Sequence, residues 1–166
     1  AGNGSFTEAN RFLSGAALPN KVRLADFNGD GRTDIAVSHC FTSDSVTLFF
    51  ADTDRHFSYK VQQVETMSLN DHHQRVDDEI RDLLAQDLNG DGKTDFAAAC
   101  YASARVCLFV NESQGSGAPL TFRRELYSFK DGRPRALAAA DLNKDGKLDL
   151  AVALWQINAV ASLLAQ

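Results

Sequence analysis

The 166 residues carry 17 basic and 22 acidic side chains, a net charge of −5, with 44% apolar residues and three cysteines. That is enough chain for one hydrophobic core, and the apolar fraction excludes a disordered polymer. The acidic balance offers no general attraction to nucleic acid, and no run approaches the roughly 18 apolar residues of a membrane-spanning helix. The opening Ala1-Gly2-Asn3-Gly4 has neither the basic nor the apolar stretch of a signal peptide.

In chain order, Gly2-Asn3-Gly4-Ser5-Phe6-Thr7 reads as a turn leading into a short strand. Alternating residues Val22–Ala25 form a second strand, and then comes an acidic loop, Asp26-Phe27-Asn28-Gly29-Asp30-Gly31-Arg32-Thr33-Asp34. Ile35-Ala36-Val37 continues as a strand, followed after a polar turn by Val46–Phe50 and by a more polar strand starting at Phe57. Leu83–Ala85 leads into the loop Asp87-Leu88-Asn89-Gly90-Asp91-Gly92-Lys93-Thr94-Asp95. Phe96-Ala97-Ala98, Val106–Val110 and a polar strand from Phe122 follow. Ala136–Ala140 leads into Asp141-Leu142-Asn143-Lys144-Asp145-Gly146-Lys147-Leu148-Asp149, then Leu150-Ala151-Val152 and Val160–Leu164.

The three loops share the pattern D-x-N-x-D-G-x-x-D and hold nine of the 22 acidic residues. Such spacing is suited to calcium. A hard cation takes six to eight oxygens at about 2.3–2.6 Å, which alternate Asp and Asn side chains can supply. The expected ligands are Asp26, Asn28, Asp30 and Asp34, then Asp87, Asn89, Asp91 and Asp95, and last Asp141, Asn143, Asp145 and Asp149. The backbone carbonyls of Arg32, Lys93 and Lys147 complete each set, because glycine at position six lets the chain turn. Magnesium demands a tighter octahedron, and zinc and copper prefer nitrogen or sulfur. An EF-hand needs Glu at position twelve, which is here Val37, Ala98 and Val152. Calcium is expected as a structural clip at three sites, taking the net charge from −5 to +1.

Four short strands in each 50–60 residues predict an all-β fold of propeller blades. The motifs resemble the FG-GAP or VCBS repeats of integrin-type β-propellers, also found in propeller lectins. That resemblance covers nearly the whole chain and implies a calcium-binding propeller, secreted or at the cell surface. The expected blades are residues 7–64, 65–128 and 129–166, the last completed by an N-terminal strand around residues 1–10. Phe6 lies 20 residues before Asp26, as Phe122 lies 19 before Asp141, so the two occupy equivalent places. Three blades leave edges open, which implies a homo-oligomer or a larger propeller.

The second repeat carries an insertion at Thr66–Glu79 that includes His72 and His73. It reads either as a solvated loop or as a binding feature. Cys100 and Cys107 align across one hairpin and are either a disulfide or two buried thiols, leaving Cys40 unpaired. Equivalent strand-end turns hold Cys40, Tyr101 and Trp155. Tyr101 and Trp155 are candidate platforms for sugar rings, with Gln156, Asn158 and Ser103 as polar companions; packing between blades is the alternative role. His39-Cys40 cannot act as a catalytic pair, because strand neighbours point to opposite faces, and Asp77-Asp78-Glu79 reads as a solvated run. No catalytic motif is found, so the expected function is a binding module rather than an enzyme. Its expected partner is a glycan, or else a cell-surface protein bound by an integrin-like adhesion module; a non-catalytic domain of a polysaccharide-processing enzyme is the other alternative.

Overall fold

Short alternating runs separated by Asp/Asn/Gly loops fold locally into antiparallel pairs. A computed structural model describes residues 4–8, 11–40, 44–53, 61–66, 68–69, 75–76, 78–116 and 119–166. They form β1 (Pro19–Ala25), β2 (Asp34–His39), β3 (Ser45–Phe49), β4 (Val61–Glu65), β5 (Ser68–Leu69), β6 (Arg75–Val76) and β7 (Ile80–Gln86). Then come β8 (Asp95–Cys100), β9 (Arg105–Asn111), β10 (Phe122–Ser128), β11 (Arg133–Ala140), β12 (Asp149–Trp155) and β13 (Ala159–Leu163). There is no helix among the described residues.

The strands make three antiparallel sheets consistent with propeller blades: β1-β2-β3-β4, β7-β8-β9-β10 and β11-β12-β13. They are not closed into a ring. A small hairpin, β5-β6, stands in the insertion of the second repeat; His72, His73 and Asp77 lie outside the described residues, as do Phe41 and Phe57. The first strands of the blades, β1, β7 and β11, pack side by side and form the inner wall. Polar outer strands β4 and β10 are exposed on alternate or most residues.

Two apolar layers join the blades. Phe27, Ala36, Val46 and Leu48 of the first meet Ile80, Leu83, Phe96, Ala98 and Phe109 of the second. On the other face of the second blade, Leu88, Ala97 and Val106 meet Leu150, Val152 and Leu154 of the third. The all-buried strand β8, Asp95-Phe-Ala-Ala-Ala-Cys100, explains the arrangement. Its alanines let both neighbours approach, while Phe96 stacks on Phe109 with ring centroids 4.4 Å apart and meets Phe122 edge-on at 5.0 Å. Each fully buried Phe or Leu contributes about 1.5–3 kcal/mol. Exposed apolar residues remain at the two ends of the arc, Val22 and Leu24 in β1 and Val160 in β13, the last 75% exposed.

Each inner strand carries a bulge near its start. The register steps from Pro19↔His39 to Lys21↔Ser38, from Ile80↔Cys100 to Asp82↔Ala99, and from Pro134↔Leu154 to Ala136↔Ala153. Asn20, Arg81 and Arg135 are the extra residues, each six positions before its loop. Bulges release a side chain from the ladder and re-aim it. Asn20 uses that freedom to donate from Nδ2 to the Ile80 carbonyl at 2.6 Å, tying two blades together.

The register of the cysteines differs from the alignment. Cys107 pairs with Ala98 and Cys100 with Arg105, so the two are diagonal neighbours rather than opposite. Their thiols are not bonded, yet the sulfurs lie 3.1 Å apart, buried against the first blade. Burial and the neighbouring Cys107 push the Cys100 thiol well up.

Candidate calcium loops and ligand-binding rim

All three acidic loops join the first and second strands of a blade and share one hydrogen-bonded frame. The first Asp turns one oxygen to the amide of residue five: Asp26 to Asp30 at 3.1 Å, Asp87 to Asp91 at 3.2 Å, Asp141 to Asp145 at 3.1 Å. Its other oxygen accepts from the position-six glycine, Gly31 at 2.7 Å, Gly92 at 2.8 Å and Gly146 at 2.9 Å. The Asn oxygen accepts from the same position-five amide, at 3.1 Å for Asn28 and 2.9 Å for Asn89 and Asn143. Asp30, Asp91 and Asp145 each accept from the amide two residues on, of Arg32, Lys93 and Lys147, at 2.9 Å.

The closing Asp has a different task. Asp34, Asp95 and Asp149 are buried, and each accepts from the amide of loop residue two: Phe27 at 3.0 Å, Leu88 and Leu142 at 2.9 Å. The second oxygen of each accepts an amide just past the third strand or at its end, Ala51 at 2.9 Å, Asn111 at 2.8 Å and Ala165 at 2.9 Å. This carboxylate therefore clamps loop to blade. Desolvation raises the Asp34 and Asp95 carboxyls, and those backbone amides oppose the rise.

The donor set of each loop consists of oxygens, with three carboxylates, one amide oxygen and a position-seven carbonyl, and that chemistry fits calcium. Asp26, Asn28 and Asp30, with their counterparts in the other two loops, would hold the ion alongside the Arg32, Lys93 and Lys147 carbonyls. Asp34, Asp95 and Asp149 would serve through lone pairs not given to amides. The first loop differs in one respect: the Arg32 guanidinium pairs with Asp30, whereas Lys93 and Lys147 make no such contact among the described residues. A bound cation neutralises the mutual repulsion of three carboxylates held in nine residues.

The rim opposite these loops holds the aromatic candidates. Tyr101 opens the β8–β9 turn, half-buried, with the guanidinium carbons of Arg81 and Arg133 each 5.3 Å from its ring centroid. Arg133 also donates through Nη1 to the carbonyls of Tyr101 and Ala102, at 3.3 and 2.9 Å. Tyr101 thus serves the seam between the second and third blades. Trp155 is 54% exposed at the end of β12, followed by exposed Gln156, Ile157 and Asn158. The Arg135 guanidinium stands 4.8 Å over its ring. Trp155, Gln156 and Asn158 therefore come together on one turn, and Tyr101 belongs to the next blade. Ser103 is half-buried in the Tyr101 turn and leans on the Cys100 carbonyl at 3.5 Å.

Sequence reasoning passed over the arginines. The available signal was a polar or charged residue six places before each loop, set against an apolar strand. A second feature it missed is a cavity of about 520 Å³ between the second and third blades, lined in part by Arg123, Glu125, Tyr127, Lys147 and Leu163. Tyr127 donates to Glu125 at 2.6 Å, which lowers the Glu125 carboxyl and raises the phenol. The cavity reaches the end of β13, whose outer edge has no partner strand among the described residues. A third cluster, Asp78 with Cys100 and Cys107, places three buried ligand atoms within 4.8 Å of one another.

Antiparallel sheets of four, four and three strands, each with a D-x-N-x-D-G-x-x-D loop between its first two strands, define a chain of blade-type repeats. Residues 87–152, from the second loop through the third and into β12, match the family model described as FG-GAP-like repeat. FG-GAP repeats often bind calcium. Comparison with curated proteins returns no match to the chain.

Proposed function

We propose that the chain is a calcium-stabilised extracellular binding module without catalytic activity, and that it recognises carbohydrate. Calcium occupies the three loops and fixes the blades, while the ligand binds at the opposite rim. The observation that carries the ligand reading is the exposed turn Trp155-Gln156-Ile157-Asn158, where one turn presents an indole and two amide residues to solvent. Apolar ring faces stack on an aromatic while amides meet hydroxyls, and each contact alone is weak. Repetition across blades raises avidity through effective concentration.

Apolar residues Val22, Leu24 and Val160 at the ends of the arc support closure by further blades, from a second copy or from a larger propeller. Light scattering on the calcium-loaded protein tests this, since closure by a second copy doubles the monomer mass. For the ligand, a glycan array with Trp155→Ala as control is the test: retained glycans should be lost in the variant. No glycan above background would turn the reading to protein adhesion, which the hairpin β5–β6 standing outside the blades would serve.

A further inference from the structure

Two blades repeat one arrangement on the rim. The bulge residue of the inner strand, Arg81 or Arg135, places its guanidinium over the aromatic six residues past the closing Asp, Tyr101 or Trp155. In the second blade a carboxylate already sits on that guanidinium, because Glu79 pairs with Arg81. In the third blade Arg135 has no carboxylate or hydrogen-bond partner among the described residues, and it is exposed. We propose that Arg135, Arg133 and Trp155 form a site for a uronate sugar, whose carboxylate takes on Arg135 the place that Glu79 takes on Arg81. This rests on the carbohydrate reading above and names the class of sugar.

The Arg135–Trp155 contact bears on why the site suits a carboxylate. A guanidinium keeps its N–H donors in its own plane, and those that clear the indole are open to a carboxylate, which can accept two of them. The indole also holds the side chain in place, so less rotamer freedom is lost on binding. Arg133 is anchored through Nη1 to two carbonyls and adds a second fixed positive charge with no carboxylate partner among the described residues. Gln156 and Asn158 lie on the same exposed turn, within reach of sugar hydroxyls.

The turns that carry these residues are packed together. Gly132 has φ +83°, and a Cβ there would stand 2.8 Å from Ile157 Cγ1, so the β10–β11 turn lies directly on the β12–β13 turn. Charge is segregated as well. Nine loop aspartates occupy the calcium rim, whereas the described acids of this rim are Glu79, paired with Arg81, the buried Asp44 and Asp78, and the exposed Glu65 and Asp131. A neutral sugar would leave the Arg135 guanidinium without an anionic partner.

The test is calorimetric titration of the calcium-loaded chain with hyaluronan and galacturonan hexasaccharides, each alongside its carboxyl-reduced form. The expected result is binding of at least one acidic hexasaccharide, about tenfold or more tighter than its reduced form, and lost in Arg135→Gln. Because Arg135 is exposed, the variant should melt with the wild type, and Arg135→Lys should recover only part of the affinity. Equal binding of acidic and reduced forms, or acidic binding indifferent to Arg135→Gln, would overturn the uronate site and leave the carbohydrate reading standing. Equal binding of polyaspartate would overturn it too, as charge attraction alone. Neutral glycans retained on the array without any hexasaccharide binding would also sink the uronate site; no retention of any glycan would sink both.

Discussion

Asp82 accepts a hydrogen bond from the Arg23 guanidinium at 2.8 Å, so the inner strand of the second blade holds that of the first by an ion pair. The other Asp82 oxygen accepts the Leu137 amide of the third blade at 3.0 Å. One carboxylate thus spans three blades. Asp82→Ala removes the pair and leaves a strand amide without its acceptor, which should cost about 2–3 kcal/mol. Chemical denaturation would register this as a lower midpoint; an unchanged midpoint would deny Asp82 that role.

Gly132→Ala should destabilise by about 1–3 kcal/mol, from the left-handed backbone and the contact with Ile157 together. Pairing it with Ile157→Ala should recover the steric part but not the backbone part. A double-mutant cycle on melting temperature separates the two, and additivity would mean that the turns do not touch in solution.

His39 donates from Nε2 to the Ser14 carbonyl at 2.9 Å, and burial holds its imidazole below the ordinary 6.5. Backbone contacts at Ser45 and Ser14 oppose that shift without overcoming it. Above about pH 6.5 both folded and unfolded His39 are neutral and the contribution is fully present. As pH falls below that value the unfolded chain takes up the proton first, so stability declines until the folded imidazole also titrates. Urea midpoints between about pH 5 and 8, in saturating calcium, should fall more steeply toward acid for the wild type than for His39→Gln. Parallel curves would contradict the buried neutral ring.

Cys100 and Cys107, with sulfurs 3.1 Å apart, are placed to cross-link. Refolding with oxidised glutathione should join them, the two thiols giving up two protons and two electrons while the oxidant is reduced to two thiols. Mass spectrometry would then find two hydrogens lost and one thiol, Cys40, still reactive after denaturation. Three reactive thiols would refute the pairing.

The loops and the strands beside them were legible because D-x-N-x-D-G-x-x-D fixes a turn and alternation fixes a strand. Their positions in β1–β2, β7–β8 and β11–β12 follow that pattern. Less legible was anything set by pairing between strands. The fourth strand of the first blade is described from Val61, while its expected start, Phe57, lies outside the described residues. Phe6 is 97% exposed, and residues 4–8 form no strand within the chain. Cys100 and Cys107 are offset by a register that spacing alone does not give. The bulges at Asn20, Arg81 and Arg135 were hidden for the same reason, and with them the arginines that share the rim with Tyr101 and Trp155. Motifs encode local geometry, but a bulge exists only relative to its partner strand.

Calcium in the loops is the central claim, and titration of the decalcified chain with calcium in a calorimeter tests it most directly. Three ions per chain are predicted. Each should add about 2.7 kcal/mol of stability at a hundred times its dissociation constant, so melting temperature should rise by many degrees on loading. Lowered stoichiometry in Asp87→Asn would tie one of the sites to its loop. No binding heat, with melts that superimpose in calcium and in chelator, would contradict the account.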